Sequence, residues 1–512
     1  MVQNILETFE TNIIKWYPFK NDAAIIQIGT NKTIENELKK VLKDVKSISK
    51  IDELEENTKY DYALIYGYEK QTDTIEKTLK VLSENGKLLI IGNNEFGINN
   101  WSKYDKVLEL EKHCEKLSTI KKIKETVKKN GLDETNTFYV FPNYKYAEII
   151  INEQEKIEKG HIERYCPEID ENEIKIFDEN KILKNIIVNN PEMIEFFANS
   201  YFIEASKKEI DTDIKLVSYN NCRKEKYRLI TIIKEDIVEK MSATVEAKEH
   251  INNMKETIQK VKNSGIEILD YEKDDKIYSK LIKNNKKLDE IINENYDNLE
   301  YIINILKDIE NILLKNAIEY AECKDKVNLR GENEESISKL HFLQEAFWDM
   351  IPKNCFYINE QYTFFDQEWK EEYLPAEFLI YRAIVNSYDL VRNVNIDELL
   401  EKLGILEYKE YFQKIDEELR NEIIDKEIFE VMYLKNIKAV DNLINDQKIT
   451  NKCNEQIKED NNNKQKYIIK LEEDNRKKQE YIEMLEKDRT AKQEYISKLE
   501  EKANKKFHWR GK

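Results

Sequence analysis

Short apolar runs alternate with amphipathic segments along residues 20–150. The runs are long enough for buried strands, and the segments between them repeat their apolar side chains at helical spacing. The strands and helices of this pattern are expected at residues 23–29, 33–42, 60–66, 74–83 and 87–92. Continuously apolar strands that alternate with helices predict a parallel sheet covered on both faces. We therefore expect a Rossmann-like α/β domain over residues 1–150.

The pattern changes twice after residue 150. Residues 151–195 are polar and irregular, which predicts a linker. Residues 196–282 contain three closely spaced strand-like runs followed by a helix, and residues 283–445 carry apolar stripes at helical spacing. A small strand-rich lobe before a larger helical lobe predicts an α+β module, with residues 196–282 as its N-lobe and residues 283–445 as its C-lobe.

The C-terminal segment, residues 446–506, contains a repeat of fourteen residues. It begins with Lys-Gln-Lys-Tyr-Ile at Lys464, and Lys-Gln-Glu-Tyr-Ile follows at Lys478 and at Lys492. A Leu lies three residues after each Ile, so every second a/d pair of a heptad is apolar. This predicts a weak coiled coil that pairs with a second copy or with another protein, and the alternative is a single solvated helix.

Composition narrows the class of protein. The chain has 512 residues, 36% of them charged, and a net charge of -18, which disfavours a nucleic-acid binder. Its six cysteines are scattered, without the spacing of a zinc site, as expected in a reducing compartment. No apolar run approaches a membrane span, and the first residues lack the pattern of a signal peptide. We expect a cytoplasmic protein.

The residues from Phe347 to Trp369 carry the strongest chemical signal. Asp349 and Asn354 lie five residues apart, and Asp366 follows twelve residues later after an apolar run. A kinase-type site uses this layout, with one Asp to orient the attacking hydroxyl and an Asn and a second Asp to hold Mg²⁺. We therefore predict Asp349 as the catalytic residue, Asn354 and Asp366 as metal ligands, and ATP with Mg²⁺ as cofactors.

Two further groups complete the predicted nucleotide site. Lys240, at the end of a strand, is the candidate for contacting the phosphates. A Glu on the following helix should pair with it, and both Glu249 and Glu256 qualify. The loop 220–224 contains no glycine to close over phosphates, unlike a kinase loop. The alternative is structural, with Asp349 and Asn354 capping a turn and Asp366 held in a hydrogen-bonded network.

The order of segments from Trp16 to Tyr381 resembles a family of bacterial class I SAM-dependent methyltransferase-like proteins found with surface-glycan glycosyltransferases. The matching segments are Trp-Tyr-Pro-Phe-Lys at 16–20, Tyr-Val-Phe-Pro-Asn-Tyr-Lys at 139–145, Phe-Ala-Asn-Ser-Tyr at 197–201, Ala-Lys-Glu-His-Ile at 247–251, Phe-Asp-Gln-Glu-Trp at 365–369 and Ile-Tyr-Arg-Ala-Ile at 380–384. The resemblance implies a methyltransferase fold followed by a kinase-like, aminoglycoside phosphotransferase-like module. It also implies a role in surface-glycan assembly and a glycosyltransferase as a partner.

The SAM motif of that family is degenerate in this chain. After the first strand, the sequence Gly-Thr-Asn-Lys-Thr keeps only Gly29 of the glycines that let a backbone approach the cofactor. No acidic residue ends the segment 45–50, where the ribose would be held, and Asp52 is a poor substitute. Gly29 is therefore the one candidate SAM residue, and SAM is the less favoured cofactor.

These observations favour a transferase of surface-glycan assembly whose kinase-like module transfers phosphate from ATP to a small molecule or sugar. An active SAM-dependent methyltransferase is the first alternative. A non-catalytic scaffold that recruits a glycosyltransferase is the second.

Overall fold

The computed structural model describes residues 7–55, 57–69, 73–102, 116–156, 161, 177–430 and 435–508. The chain divides into two units, Met1–Val440 and Asp441–Lys512. Among the helices that are described, none combines the length and apolar character needed to cross a bilayer.

The first unit contains eighteen strands within the described residues. They are β1 Ala24–Ile28, β2 Asp44–Ile48, β3 Tyr60–Tyr66, β4 Leu82–Asn93, β5 Glu134–Phe141, β6 Ile149–Asn152, β7 Ser200–Ser206, β8 Ile214–Tyr219, β9 Leu229–Lys234, β10 Ile237–Ser242, β11 Glu267–Ile268, β12 Asp270–Lys273, β13 Lys276–Lys280, β14 Ala317–Glu319, β15 His341–Ala346, β16 Cys355–Ile358, β17 Gln361–Phe364 and β18 Glu371–Pro375.

The described helices of both units are numbered here in chain order. They are α1 Asn12–Lys15, α2 Lys32–Val41, α3 Thr74–Leu79, α4 Ile98–Trp101, α5 Ile120–Lys129, α6 Glu179–Asn189, α7 Ile194–Phe197, α8 Lys248–Asn263, α9 Leu288–Glu294, α10 Leu299–Leu314, α11 Tyr320–Cys323, α12 Glu334–Ile337, α13 Ala376–Val385, α14 Tyr388–Asn393, α15 Ile396–Lys402, α16 Lys409–Ile423, α17 Lys426–Phe429 and α18 Lys435–His508.

Twelve of the strands form one mixed sheet, in the order β12-β13-β10-β9-β8-β6-β5-β7-β4-β3-β1-β2. The four strands at one end, β2, β1, β3 and β4, run parallel to one another. The predicted parallel sheet is therefore confirmed for these strands. The other eight strands of this sheet, from β7 to β12 in the order above, join it through antiparallel pairings, so the sheet as a whole is mixed.

Both faces of the parallel part are covered. On β1, Ile26 and Ile28 pack into one apolar cluster, whereas Ile25 packs into another on the opposite face. Successive side chains of a strand point to opposite faces, and here both faces receive apolar ones. The continuous apolar runs seen in the sequence follow from this double burial.

Strand β7 belongs to the twelve-stranded sheet, although its residues fall within the predicted N-lobe, residues 196–282. It pairs antiparallel with β4 on one side and with β5 on the other. Strands β8, β9 and β10 then continue the same sheet. The sheet therefore crosses the predicted linker 151–195, of which residues 157–160 and 162–176 lie outside the described part.

The residues after β13, together with strand β11, pack around a separate apolar core. Helices α10, α13 and α16 contribute Leu306, Phe378 and Phe412 to it, and the two three-stranded sheets β11-β17-β16 and β14-β15-β18 lie against it. From Ala376 to Phe429 the chain forms helices α13 to α17, in agreement with the helical spacing of that part of the sequence. Helix α8 instead packs on the strands, through Ile251, Met254 and Ile258 beside Leu229 and Ile277.

Helix α18 begins in the first unit and continues through the second, whose described residues, 441–508, are all helical. Every described side chain between 447 and 502 is exposed in the single chain. The predicted helical tail is confirmed, and pairing with another helix stays a prediction.

Candidate functional site

The first candidate site lies where β1, β2 and β3 end. Gly29 follows β1 with φ +92°, and a Cβ built there would lie 2.6 Å from the carbonyl oxygen of Tyr66. A glycine is therefore needed for the turn itself, whether or not a ligand approaches. The structure places Gly29 at the predicted edge, and its role in binding a cofactor stays a prediction.

Side chains of the protein already engage the turn that SAM would approach. The amide nitrogen Nε2 of Gln27 donates to the carbonyl oxygens of Gly29 and Asn31, at 2.9 and 3.2 Å. Asn31 caps α2, accepting from the backbone NH of Ile34 at 3.0 Å, and its amide donates to the carboxylate of Glu10. This turn is held by internal hydrogen bonds.

A cavity of about 360 Å³ nevertheless remains at this edge of the sheet. Gly29, Lys50, Asp52, Tyr66 and Gly67 are among the residues that line it. Asp52, the weak substitute for a ribose-binding acid, forms an ion pair with Lys77 at 2.7 Å. Ligands of open α/β sheets bind at this edge, although Asp52 is already paired.

The second candidate site joins β10 to the segment after β17. The ammonium group of Lys240 contacts the carboxylates of both Asp366 and Glu368. Lys240 and Asp366 are 126 residues apart in sequence. The structure therefore brings together the Lys and the second Asp of the predicted constellation.

The predicted partners of Lys240 on α8 are wrong. Glu249 is exposed, Glu256 is largely exposed and lies 3.3 Å from Lys370, and neither pairs with Lys240. The inward face of α8 is instead set by the apolar positions Ile251 and Met254, which place Glu249 on the solvent side. Glu368, two residues after Asp366, takes the place of the expected helical Glu.

Glu368 is the centre of a buried charge network. Its side chain is 5% exposed, and it accepts from the guanidinium of Arg223 at 2.5 Å and lies 3.8 Å from Nε2 of His250. Burial by itself would raise the pKa of Glu368, but Arg223 and Lys240 hold it well below its usual range. Burial likewise lowers the pKa of Lys240, yet Asp366 and Glu368 outweigh it and raise that pKa above its usual range.

Arg223 reaches this network from the glycine-free loop 220–224. Backbone hydrogen bonds fix the loop, because Lys224 donates to the carbonyl of Ile423 at 2.8 Å and Asp425 donates to that of Cys222 at 2.9 Å. The guanidinium of Arg223 also lies 5.3 Å from the ring centre of Trp369. The loop thus presents a cation to the site, where a kinase loop would present backbone NH groups.

Asp349 and Asn354 lie between β15 and β16, next to this network. Burial raises the pKa of Asp349 to about 7, and the negative charges of Glu368 and Asp366 add to the effect. The side-chain NH₂ of Asn354 donates to the backbone carbonyl of Asp349 at 3.1 Å, and Gln367 donates to the same carbonyl at 3.0 Å. The two predicted residues are therefore linked to each other and to the Asp366 segment.

Asp366 itself has a left-handed backbone, with φ +60°. A residue other than glycine in this region carries strain of about 1 kcal/mol or more, and such residues cluster at functional sites. Its side chain is 37% exposed, so one side of the carboxylate remains open.

The fit of this site to Mg²⁺ rests on two oxygen donors. No group of three or more His, Cys, Asp or Glu side chains in the described residues is arranged to hold a metal ion. Mg²⁺ in nucleotide sites is usually held by one or two protein groups together with phosphates and water. Asp366 and the amide oxygen of Asn354 match that donor set.

Aromatic rings and a guanidinium form a stack beside this site. The ring of His250 stacks on Trp369 at 4.4 Å, and Trp369 stacks on Trp348 at 5.7 Å. The guanidinium of Arg382 lies 4.4 Å from the ring centre of Trp348 and pairs with Asp416. Since Trp348 and Trp369 flank Asp349 and Glu368 in sequence, the stack fixes both segments.

Three residues of this site were not predicted from the sequence: Glu368, Arg223 and His250. Glu368 lies two residues from Asp366, a spacing that could have suggested a second acid at the site. His250 falls in register with the buried face of α8, a signal that would also have excluded Glu249 and Glu256. For Arg223 the sequence offered no signal beyond its place in the loop.

The solved structures that match this chain resemble it only weakly, in sequence identity and in TM-score. No protein-family model and no curated protein matches the sequence. Among solved structures, a SAM-dependent methyltransferase from Thermotoga maritima is 13% identical, with 40% of this chain and 91% of that chain covered and a TM-score of 0.24. One from Archaeoglobus fulgidus is 13% identical, with 40% and 94% covered and a TM-score of 0.26.

A third likeness is to a larger protein. Phosphoethanolamine N-methyltransferase 2 of Haemonchus contortus, in complex with S-adenosyl-L-methionine, is 16% identical, with 40% of this chain and 53% of that chain covered and a TM-score of 0.22. Likenesses of this size establish neither the fold nor the function of the chain.

Proposed function

We propose that the second half of the first unit transfers a phosphoryl group from ATP to a hydroxyl of a small molecule or sugar. The contact between Lys240 and Asp366 carries this proposal, because it joins the predicted phosphate-binding and metal-binding groups. Phosphoryl transfer is catalysed mainly by positioning and by neutralising charge, so a convergence of this kind is its main structural requirement.

Each residue has a role that follows from its surroundings. Asp349, with a pKa of about 7, would accept the proton of the attacking hydroxyl near neutral pH. Lys240 would move from Asp366 to the phosphates, while Glu368 keeps its side chain directed into the site. Arg223 would add positive charge beside the phosphates, in place of a glycine loop.

Asp366 and Asn354 would hold Mg²⁺, which supplies charge neutralisation on the nucleotide phosphates when bound. Asn354 uses its NH₂ group for the carbonyl of Asp349, so its amide oxygen is left for a metal. Asp366 is contacted by a flexible ammonium group, which a metal and a phosphate together can replace.

Titration calorimetry with Mg²⁺-ATP tests this proposal. Wild-type protein is expected to bind Mg²⁺-ATP, and Asp366→Asn to bind it about tenfold more weakly or worse, a loss of about 1.4 kcal/mol. Omitting Mg²⁺ should have a similar effect on the wild type. Glu249→Gln is the matched control, since it removes one carboxylate from an exposed position of the predicted set.

Two results would contradict the phosphotransferase. One is the absence of binding by the wild type at millimolar Mg²⁺-ATP. The other is equal binding by wild type and Asp366→Asn, which would place the nucleotide elsewhere. The first result, together with an effect of Asp366→Ala on stability alone, would favour a non-catalytic scaffold.

A SAM-dependent methyltransferase is the second candidate, and the cavity at the end of β1, β2 and β3 favours it. This cavity lies at the edge of the parallel strands, where open α/β sheets bind ligands. The hydrogen-bonded turn at Gly29 and the ion pair of Asp52 count against it.

Thermal unfolding with SAM checks this second candidate. A ligand at about 100 times its Kd stabilises the folded state by about 2.7 kcal/mol. We expect a higher Tm with millimolar SAM if the cavity binds it. Lys50→Trp, which places a large side chain at the cavity wall on an ordinary extended backbone, should abolish the shift. An unchanged Tm of the wild type would remove the candidate.

The setting in surface-glycan assembly and the glycosyltransferase partner depend on the sequence resemblance alone, which is an association and not a physical argument. Both stay proposals.

A further inference from the structure

The exposed apolar stripe of α18 is the strongest unexplained feature of the second unit. Its members are 44% to 64% exposed in the single chain. They are Tyr467, Ile468, Leu471, Tyr481, Ile482, Leu485, Tyr495, Ile496 and Leu499. Most helical stability in proteins comes from packing of an apolar face, and this helix lacks that packing in one chain.

The stripe has a register that fits a coiled coil. Counting Ile468 as position a, the a positions that follow are Asn475, Ile482, Arg489 and Ile496. The d positions are Leu471, Lys478, Leu485, Lys492 and Leu499. An apolar Ile/Leu layer therefore returns every fourteen residues, about 21 Å along the helix.

The residues beside the seam also repeat. Position g is Tyr at 467, 481 and 495, and the e position five residues later is Glu at 472, 486 and 500. In a parallel pair, g of one helix faces e of the next heptad on the other helix. Each Tyr hydroxyl would then face a Glu carboxylate of the second helix, at all three repeats.

We propose that α18 pairs with a second copy of itself as a parallel, in-register, two-stranded coiled coil. Ile at a with Leu at d favours two strands, and Asn475 at an a position favours one register, because each Asn can bond its copy. Of the three cations in the seam, Arg489 and Lys492 would each have an acidic neighbour, whereas Lys478 would face its own copy. Lys492 pairs with Asp488 at 2.7 Å within one chain, and Arg489 would lie beside Asp488 of the other.

The antiparallel arrangement fits less well. Centred on the middle repeat, it also matches the Ile and Leu layers. Cations meet in the seam of either arrangement, because Arg489 faces Lys478 of the second helix in the antiparallel pair, and each seam cation faces its own copy in the parallel one. The antiparallel pair, however, sets Asn475 opposite Lys492 and pairs e with e and g with g. It therefore loses both the contact between the two Asn475 side chains and the Tyr–Glu pairs.

Sedimentation velocity of the full-length chain tests the pairing. The wild type is expected at twice the mass of one chain at micromolar concentration. The double variant Ile482→Lys/Leu485→Lys should sediment as one chain, because it places four cations in the central layers of a dimer. The matched control is Ile469→Lys/Met484→Lys, which changes exposed apolar residues of the same helix away from the seam and should remain a dimer.

Disulfide formation tests the orientation. Cys453 is exposed, so the experiment uses a Cys453→Ser background. Leu485→Cys should form a covalent dimer under mild oxidation, since d faces d in a parallel, in-register pair, and Met484→Cys should form much less. A monomeric wild type, a larger oligomer, or a dimer that survives the seam variant would overturn the proposal. So would a dimer in which Leu485→Cys fails to crosslink.

Discussion

Replacing Asp349 by Asn is expected to stabilise the protein above neutral pH while abolishing the phosphoryl transfer that we propose. Burial raises the pKa of the Asp349 carboxyl from 3.8 to about 7. Between these two values the folded state holds the proton more tightly than the unfolded state does. Stability due to this group is therefore fully present below about pH 4 and falls as the pH rises to about 7.

The size of this loss of stability follows from the shift in the pKa of Asp349. One pKa unit corresponds to about 1.4 kcal/mol, so ionised Asp349 costs the folded state at most about 4 kcal/mol. An Asn is neutral at every pH and does not incur this cost. In metal-free urea denaturation, Asp349→Asn should exceed the wild type by up to about 4 kcal/mol at about pH 8, and by only about 1 kcal/mol at about pH 4.5.

The control is Asp325→Asn, which removes an exposed carboxylate from the same core region and should change stability by less than about 0.5 kcal/mol at both pH values. A difference between Asp349→Asn and wild type that does not grow with pH would show that Asp349 titrates normally. It would then lack the property that suits it to act as a base near neutral pH.

The elements that the sequence predicted well are those whose burial is local. The run 60–66 corresponds to β3 residue for residue, because both faces of that strand are buried and its apolar residues are contiguous. Helix α2 begins at Lys32, one residue before its predicted start and directly after the cap Asn31. In both cases the pattern and the fold depend on the same neighbouring side chains.

The order of the strands in the sheet could not be predicted from the local hydrophobic pattern. β7 has the same apolar character as β4, and nothing local states that it will lie reversed between β4 and β5. Likewise, β8 to β10 would satisfy their hydrogen bonds in a separate sheet as well as in a shared one. Pairings between distant segments depend on the whole topology, and local pattern carries little information about them.

The residues of the candidate site also divide into those that local sequence could suggest and those that it could not. The spacing of Asp349, Asn354 and Asp366 is a local pattern, so the sequence alone could propose these residues. The partner of Lys240 was misplaced because a kinase-type site takes its Glu from a helix, whereas in this chain the acid lies two residues after Asp366. A substitution of this kind keeps the charge in the site while moving its position in the sequence.

Removing the charge of Glu368 is expected to have the largest structural effect in the site. Glu368→Gln leaves Arg223 without its carboxylate partner, and Lys240 with only Asp366. Breaking a buried ion pair from one side typically costs about 3–5 kcal/mol, because the remaining charge is desolvated and uncompensated. We expect a loss of this size in chemical denaturation near neutral pH, together with weaker binding of Mg²⁺-ATP.

Glu345→Gln is the matched control, because it removes the same charge from a pair with Lys260 whose side chains are 39% and 34% exposed. Exposed pairs contribute at most about 1 kcal/mol, so the difference between the two variants isolates the effect of burial. The double variant Arg223→Leu/Glu368→Leu should recover part of the loss, since it removes both charges and leaves neither unpaired. Equal, small losses for Glu368→Gln and Glu345→Gln would mean that water reaches the network. Lys240 would then be free of the constraint that, in our proposal, holds it ready for phosphate.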